Sequence, residues 1–308
     1  ESFVSPRTRN TLTPNLTTQK TFSVDVNYAF SKQGYDVRVT AFYTTIKDQT
    51  DLTSFYDDSQ NSFTNFAMSG IDQRNVGIEV GFKVPLPVTG LSLQGAASIG
   101  DYVYTSTPRV TQTIDNSGDL IMDNREVAYW KSHNIYRKDA SGNYIYDESG
   151  SPIVEKVQRH YVGNTPQIAT SLGLNYRTRN YLFLELNLQY FDKMYLEMNP
   201  LYRTDIAVCG PDNVWTPAEE EYMAAQETFS PQFVLNASIG KSWYIDRKYN
   251  IGFSLEIKNI LNNQWLKTGG YEQSRLIDSE NEERYYRFDS KYFYMQGINY
   301  MLNIYFRF

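Results

Sequence analysis

The sequence of 308 residues contains a single cysteine, Cys209, and only two histidines, His133 and His160. One cysteine excludes an internal disulfide framework. These three side chains are too few for the usual four-ligand zinc sites, so no metal centre is expected. No apolar run reaches the roughly 18 residues that a membrane-spanning helix needs. Basic blocks are lacking too: 29 Lys+Arg stand against 35 Asp+Glu, a net charge of -6. Nucleic acid is therefore not an expected partner. Phosphate-loop, GxSxG and HExxH motifs are absent, and with them the expectation of a catalytic residue or a cofactor. The amino terminus, Glu1-Ser2-Phe3-Val4, has neither a basic n-region, an apolar h-region nor an initiating Met, which fits a processed chain or part of a longer one.

Aromatic residues, by contrast, are abundant, at 15% with 26 Tyr and 17 Phe, too many for a disordered chain. They sit in segments of strict alternation, the mark of half-buried strands. Apolar side chains dominate every second position in nine segments: Phe22 to Phe30, Tyr35 to Tyr43, Val76 to Val84, Leu91 to Ile99 (with Gly95), Ile168 to Tyr176 (with Thr170), Leu182 to Tyr190, Phe233 to Ile239, Tyr249 to Ile257 and Tyr300 to Phe308. Short turns near Ser31–Gly34, Pro85–Gly90, Arg177–Asn180 and Ile245–Lys248 join pairs of them as hairpins. The intervening connections, about 47–74, 105–165, 193–231 and 262–290, are longer than compact soluble domains tolerate without function. Short turns on one side and long loops on the other describe an up-and-down, antiparallel outer-membrane β-barrel.

A soluble sandwich also alternates, with its apolar face inward. Here the opposite face is rich in Gly, Ser, Asn, Ala and Gln, with few long charges, which suits a crowded wet lumen better than a solvated sheet. Aromatics gather near strand ends, at Tyr28, Phe30, Tyr35, Tyr181, Trp243, Tyr244, Tyr249, Phe306 and Phe308, as in an interfacial girdle. The barrel is favoured, with the sandwich binding module kept as an alternative.

Within the loops, acidic clusters occur at Asp57-Asp58, Asp115 to Asp119, Asp147-Glu148, Glu219 to Glu221 and Asp278 to Glu283. None has EF-hand spacing, and solvated surface is the expectation for each. Thr216 to Glu227 begins with Thr, Pro and acids, the signals of a helix start. The candidate ligand-binding residues are loop aromatics, Tyr129, Trp130, Tyr136, Tyr161 and Trp215, because rigid rings stack on sugars or grip peptide side chains at low entropic cost. Packing of the loops on each other is the competing role for each.

The last strand, Tyr300, Leu302, Ile304, Phe306 and Phe308, looks like the terminal strand that outer-membrane assembly machinery reads. Ser254 to Asn263 (SLEIKNILNN) resembles the penultimate strand of TonB-dependent outer-membrane receptors. Thr268 to Glu272, Tyr161 to Gln167, Asn199 to Thr204 and Gly240 to Trp243 resemble segments of the Bacteroidetes branch of that family, in the same order. The resemblance implies a 22-stranded barrel around an N-terminal plug. Residues 1–308 would be its C-terminal part, strands 14 to 22, with the plug and the earlier strands outside this chain. It implies nutrient import (glycan, peptide, siderophore or similar), outer-membrane lipid as surroundings, a periplasmic C-terminus, and the TonB complex as a partner through the missing N-terminal part. The SusC/RagA subclass works with a SusD-like surface lipoprotein lid, and usually carries a slightly different phrase where this chain reads Gly270-Tyr271-Glu272-Gln273. A barrel with a structural or adhesion role is the other alternative.

Overall fold

The computed structural model describes residues 17–57, 60–115, 117–209, 216–246, 248–274, 276–279 and 284–308. In chain order the elements are β1 (Lys20–Lys32), β2 (Tyr35–Asp57), β3 (Ser62–Pro85), β4 (Leu91–Tyr104), β5 (Arg109–Ile114), β6 (Leu120–Glu126), β7 (His133–Tyr136), β8 (Val154–Gln158), β9 (Pro166–Arg177) and β10 (Leu182–Met194), followed by two short helices, α1 (Asp205–Cys209) and α2 (Pro217–Ala224). Then come β11 (Gln232–Ile245), β12 (Tyr249–Lys258), β13 (Lys267–Tyr271), β14 (Leu276–Ser279), β15 (Arg284–Arg287), β16 (Lys291–Tyr294) and β17 (Asn299–Arg307).

All nine alternating segments form strands, and they pair antiparallel in sequence order, β1-β2-β3-β4-β9-β10-β11-β12-β17. The two end strands, β1 and β17, are not paired with each other among the described residues. Hairpin chemistry sets the short turns. Gln33 and Gly34 both take positive φ (54° and 86°), the type I′ geometry whose twist matches its strands. At Gly90 a Cβ would lie 1.9 Å from the Arg177 carbonyl oxygen, so only glycine lets these two turns touch.

One connection differs most from the sequence expectation. The segment 47–74 is not a long loop: β2 and β3 stay paired to Asp57↔Ser62, so the connection shrinks to 58–61. The pairing shifts register between Ile46 and Thr50, where Asp48 adopts φ 59°. Such a bulge breaks the alternation that marks a strand in sequence, although Thr50, Thr53, Phe55, Tyr56, Phe63 and Phe66 are good strand formers. Beyond this bulge β3 leaves β4 and pairs with β5 instead, and β5 pairs with β6. Of the other three, 105–165 carries β5 to β8 and 193–231 carries α1 and α2, as expected, while the last is longer than expected: β13 pairs with β16, so the connection between β12 and β17 spans 259–298.

The two faces of the sheet differ in chemistry. Cross-strand polar pairs line one face: Asn187 Nδ2 donates to Ser171 Oγ (2.9 Å), Gln94 Nε2 to Glu185 Oε1 (3.2 Å) and Thr40 Oγ1 to Asn27 Oδ1 (2.6 Å). On this side a hollow of about 400 Å³ opens between Arg38, Glu79, Ser98, Ser171 and Gln189. The other face is apolar and bare. Val26 is 69% exposed, Ile99 58%, Leu186 43% and Ile304 69%. Phe22, Val24, Ile78, Leu172, Leu174, Leu184, Leu188, Phe233 and Leu302 continue that surface. Soluble monomers leave bare apolar patches of roughly 300–600 Å², and a sandwich would cover such a face with a second sheet. No second sheet covers it among the described residues.

Rings cluster at the short-turn rim of this face. Tyr181 lies 4.9 Å from Tyr244 and Tyr249 lies 5.9 Å from Phe306. The terminal strand pairs in full with β12, from Asn250↔Arg307 to Lys258↔Asn299, and Tyr300, Leu302, Ile304, Phe306 and Phe308 are all exposed. The buried core lies elsewhere, among the described residues in three clusters at the loop end. One joins Phe66, Met68, Val110, Val127, Trp130 and Met198. The second joins Tyr202, Ala207, Val208, Met223 and Ala224, and the third Met194, Leu196 and Phe229.

Candidate functional site

The loop end is built on residues far apart in sequence. A Thr216 cap, whose hydroxyl accepts from the Glu219 backbone N–H while the Glu219 carboxylate accepts from the Thr216 backbone N–H, starts α2. Pro217 at the first turn completes the expected helix start. The helix inserts Met223 and Ala224 into the core, and its Glu220 pairs with Lys138 at 3.5 Å. Its role is to hold loop on loop.

At the centre lies a charged knot. Arg203 and Glu272 are fully buried, and the Arg203 guanidinium donates from both terminal nitrogens to the Glu272 carboxylate. Arg287 Nη2 donates to the same carboxylate, as does the Asn199 backbone N–H at 2.8 Å. Arg203 also donates to the Asn199 and Ala225 carbonyls, and Arg287 to the Ala225 carbonyl (2.7 Å). Burial lowers the Arg203 pKa, and the Glu272 charge opposes that shift. A buried ion depends on its counter-charge, and here one carboxylate ties the 193–231 connection to the 262–290 connection, while Arg203 Nε has no partner among the described residues.

A second knot surrounds Asn164. Its Nδ2 donates to Glu197 Oε2 (3.0 Å), its Oδ1 accepts from the Gly270 N–H (3.1 Å), and its own backbone N–H donates to the Tyr195 carbonyl (2.8 Å). Close approach demands glycine at Gly163 and Gly270, where a Cβ would lie 2.5 Å from Glu197 Cα and 2.2 Å from the Lys291 carbonyl oxygen. Gln226 bridges Tyr161 and Leu196, donating to both carbonyls at 2.8 Å and accepting from the Tyr161 N–H.

His160 is buried between two carbonyls, with Nε2 2.7 Å from the Ala224 oxygen and Nδ1 3.1 Å from that of Trp130. Burial foremost, then the charges of Arg203 and His133, push its pKa down to about 3, against the two carbonyls, which favour the proton. Burial also lowers the pKa of the neighbouring His133. Between the ordinary histidine value near 6.5 and the folded value, the unfolded loop binds a proton that the folded loop does not, so loop stability falls as pH falls. Local opening around His160 should become easier by about 2 kcal/mol from pH 7 to pH 5. Glu220, its pKa raised by burial, acts oppositely at the acid end. Hydrogen exchange of residues 130–160 across this range tests the slope, and a pH-independent exchange free energy would contradict it.

The candidate ligand aromatics occupy different environments. Trp130 is 4% exposed and packs in the core, 4.8 Å from Tyr104, so its ring is not an open platform. Tyr129 is half-buried against the Tyr202 cluster, edge-on to His133 at 4.9 Å. Tyr161 stacks on Tyr195 at 4.2 Å, and Tyr136 meets Tyr144 edge-on at 5.7 Å. Trp215 lies outside the described residues, as do Asp58 and Glu280 to Glu283. The structure thus gathers Tyr129, Trp130 and Tyr161 around the buried knots rather than around a shared opening. Arg203, Glu272 and His160, which organise the site, are not singled out by the sequence. The first two lie in the segments Asn199 to Thr204 and Thr268 to Glu272, but their pairing spans 69 positions. Among the described residues no three His, Cys, Asp or Glu side chains gather at metal-binding spacing, and no helix is long and apolar enough to cross a membrane.

No protein-family model matches the chain, and no curated protein matches it. Several solved structures do. The ferric-catecholate import receptor Fiu of E. coli is 13% identical with a TM-score of 0.44, covering 94% of this chain and 27% of its own. The FrpB iron transporter of Neisseria meningitidis (F3-3 variant) is 11% identical with a TM-score of 0.46, covering 96% and 33%. The outer membrane transporter YddB of Escherichia coli is 10% identical with a TM-score of 0.44, covering 94% and 33%. The chain spans a third or less of the length of these proteins.

Proposed function

We propose that the chain is the C-terminal part of a nutrient-importing β-barrel receptor of a Gram-negative outer membrane, driven by the TonB complex. The observation that carries this reading is the bare apolar face of the nine-stranded meander. Strands of 9 to 14 residues, such as β17, β12, β9 and β4, reach or exceed the roughly 9–11 needed to cross a bilayer at a tilt. Lipid covers apolar surface that water would not tolerate, and the polar face then lines a lumen. Unpaired strand edges are not viable in hydrocarbon, where each unsatisfied backbone group costs several kcal/mol. β1 and β17 therefore pair with further polypeptide, which in this reading comprises the earlier strands of a wide barrel with a plug inside. The loop end faces outward and the short turns face the periplasm.

Cell fractionation and nutrient uptake test this. The protein carrying the chain should appear in the outer-membrane fraction. Trypsin added to intact cells should cut within 105–165 or 193–231 and spare Arg177–Asn180 and Ile245–Lys248. Deleting its gene and inactivating the TonB complex should abolish uptake of the same nutrient. Recovery outside the outer membrane sinks the proposal, and recovery there with no uptake defect leaves a structural or adhesion barrel instead.

A further inference from the structure

Beyond the bulge at Asp48, the extension of β2 stands opposite the segment that follows β13. A cleft of about 460 Å³ lies between them, within the size range of small-ligand sites. Ser54, Phe55 and Tyr56 form one wall, and Tyr271, Gln273 and Ser274 the other. Tyr56 is 43% exposed and Tyr271 45%. Neither phenol hydroxyl has a partner among the described residues.

Both walls are fixed. The Tyr56 ring is braced edge-on by Phe63 at 5.4 Å, its cross-strand partner. Phe55 packs behind it against the Phe66 cluster. On the other wall Glu272 is the buried anchor of the Arg203 knot, so Tyr271 and Gln273 flank a residue held by two arginines. The Gln273 carbonyl is held by Asn199 Nδ2 at 2.8 Å and its side-chain amide by the Asp289 carbonyl. A ligand entering here meets preformed walls, which lowers the ordering cost of binding.

The lining has one further property: among the described residues none carries a charge. The neighbouring groove beside α2, by contrast, holds Glu221, Glu227, Arg287 and Asp289. A ferric chelate or other charged ligand would shed water in the cleft without gaining a counter-charge. Two tyrosine rings in the lining, with small polar neighbours, suit the C–H faces and hydroxyls of a sugar ring. On the reading of the chain as an importing receptor, we infer that this cleft binds a neutral oligosaccharide, with Tyr56 and Tyr271 as its stacking platforms.

Isothermal titration of the full-length protein, purified from outer membranes, tests this. The probes are maltoheptaose, cellohexaose, xylohexaose and mannohexaose, with oligogalacturonate as the charged counterpart. At least one neutral probe should bind and oligogalacturonate should not. Tyr56→Ala and Tyr271→Ala should each weaken binding about tenfold or more, as loss of a central aromatic contact does. Tyr271→Phe should retain most of the affinity, and Tyr144→Ala, on an exposed ring elsewhere, should change nothing. Recovery of each variant in the outer membrane checks that it folds. Binding only of the charged probe, binding of none, or neutral binding untouched by both alanine variants overturns the assignment. Such a failure in a protein that still sits in the outer membrane and imports another nutrient leaves the receptor reading standing. Absence from that membrane removes the receptor reading itself.

Discussion

Replacing Glu272 by alanine should unlock the loop end at a cost of about 3–5 kcal/mol, the range for stripping a buried ion of its partner. The substitution leaves Arg203, fully buried, facing Arg287 with no carboxylate between them. It also orphans the Asn199 N–H that Glu272 now accepts. The sheet does not depend on this carboxylate, so the effect should be local. Trypsin cleavage in the 193–231 and 262–290 connections should accelerate by orders of magnitude while the strands stay protected from hydrogen exchange. The double substitution Arg203→Met with Glu272→Leu should recover part of the loss, read by cleavage in the 262–290 connection, because an apolar pair of similar volume often replaces a buried ion pair without penalty, although the Asn199 N–H and Arg287 stay without the carboxylate. Wild-type cleavage rates in Glu272→Ala would mean that the loops are held by their apolar clusters alone. The cleft between Tyr56 and Tyr271 shares this anchor, so its ligand affinity should fall along with loop order.

A lysine at position 186 should cost roughly 2–4 kcal/mol of folding free energy in a bilayer, and a lysine at position 187 far less. Leu186 and Asn187 are adjacent on β10 and point to opposite faces, since side chains alternate along a strand. Leu186 pairs with Ala237 and Leu174 on the bare apolar face, and Asn187 reaches Ser171 on the polar face. Denaturant titration of the protein folded into lipid vesicles would measure both. Cysteines at the two positions give an independent check: a water-soluble maleimide should label position 187 and spare 186. Equal costs for the two lysines, or the reverse labelling, would mean that the apolar face does not meet lipid.

The alternation of side chains alone determined much of this protein. Tyr35 to Tyr43, Leu182 to Tyr190 and Tyr300 to Phe308 could be read as strands because a period of two repeats over several residues and needs no distant partner. Gln33-Gly34 marked its turn for the same local reason, and Thr216-Pro217 with Glu219 marked α2 by cap chemistry confined to one turn. The terminal strand and the short-turn rim of rings were equally legible, since their residues declare themselves by type and spacing. Tertiary structure decided what depends on partners far along the chain. The continuation of β2 to Asp57 was hidden because a bulge at Asp48 interrupts the period, and only pairing with Ser62 to Ile71 restores it. Trp130 reads the same in sequence whether it is an open platform or a core residue; packing against Tyr104, Val127 and Met198 makes it core. The pairing of Arg203 with Glu272, and the meeting of Tyr56 with Tyr271 across a cleft, have no local signature. They exist because the sheet fixes the roots of the loops, and burial then leaves a charge no stable place except beside its opposite.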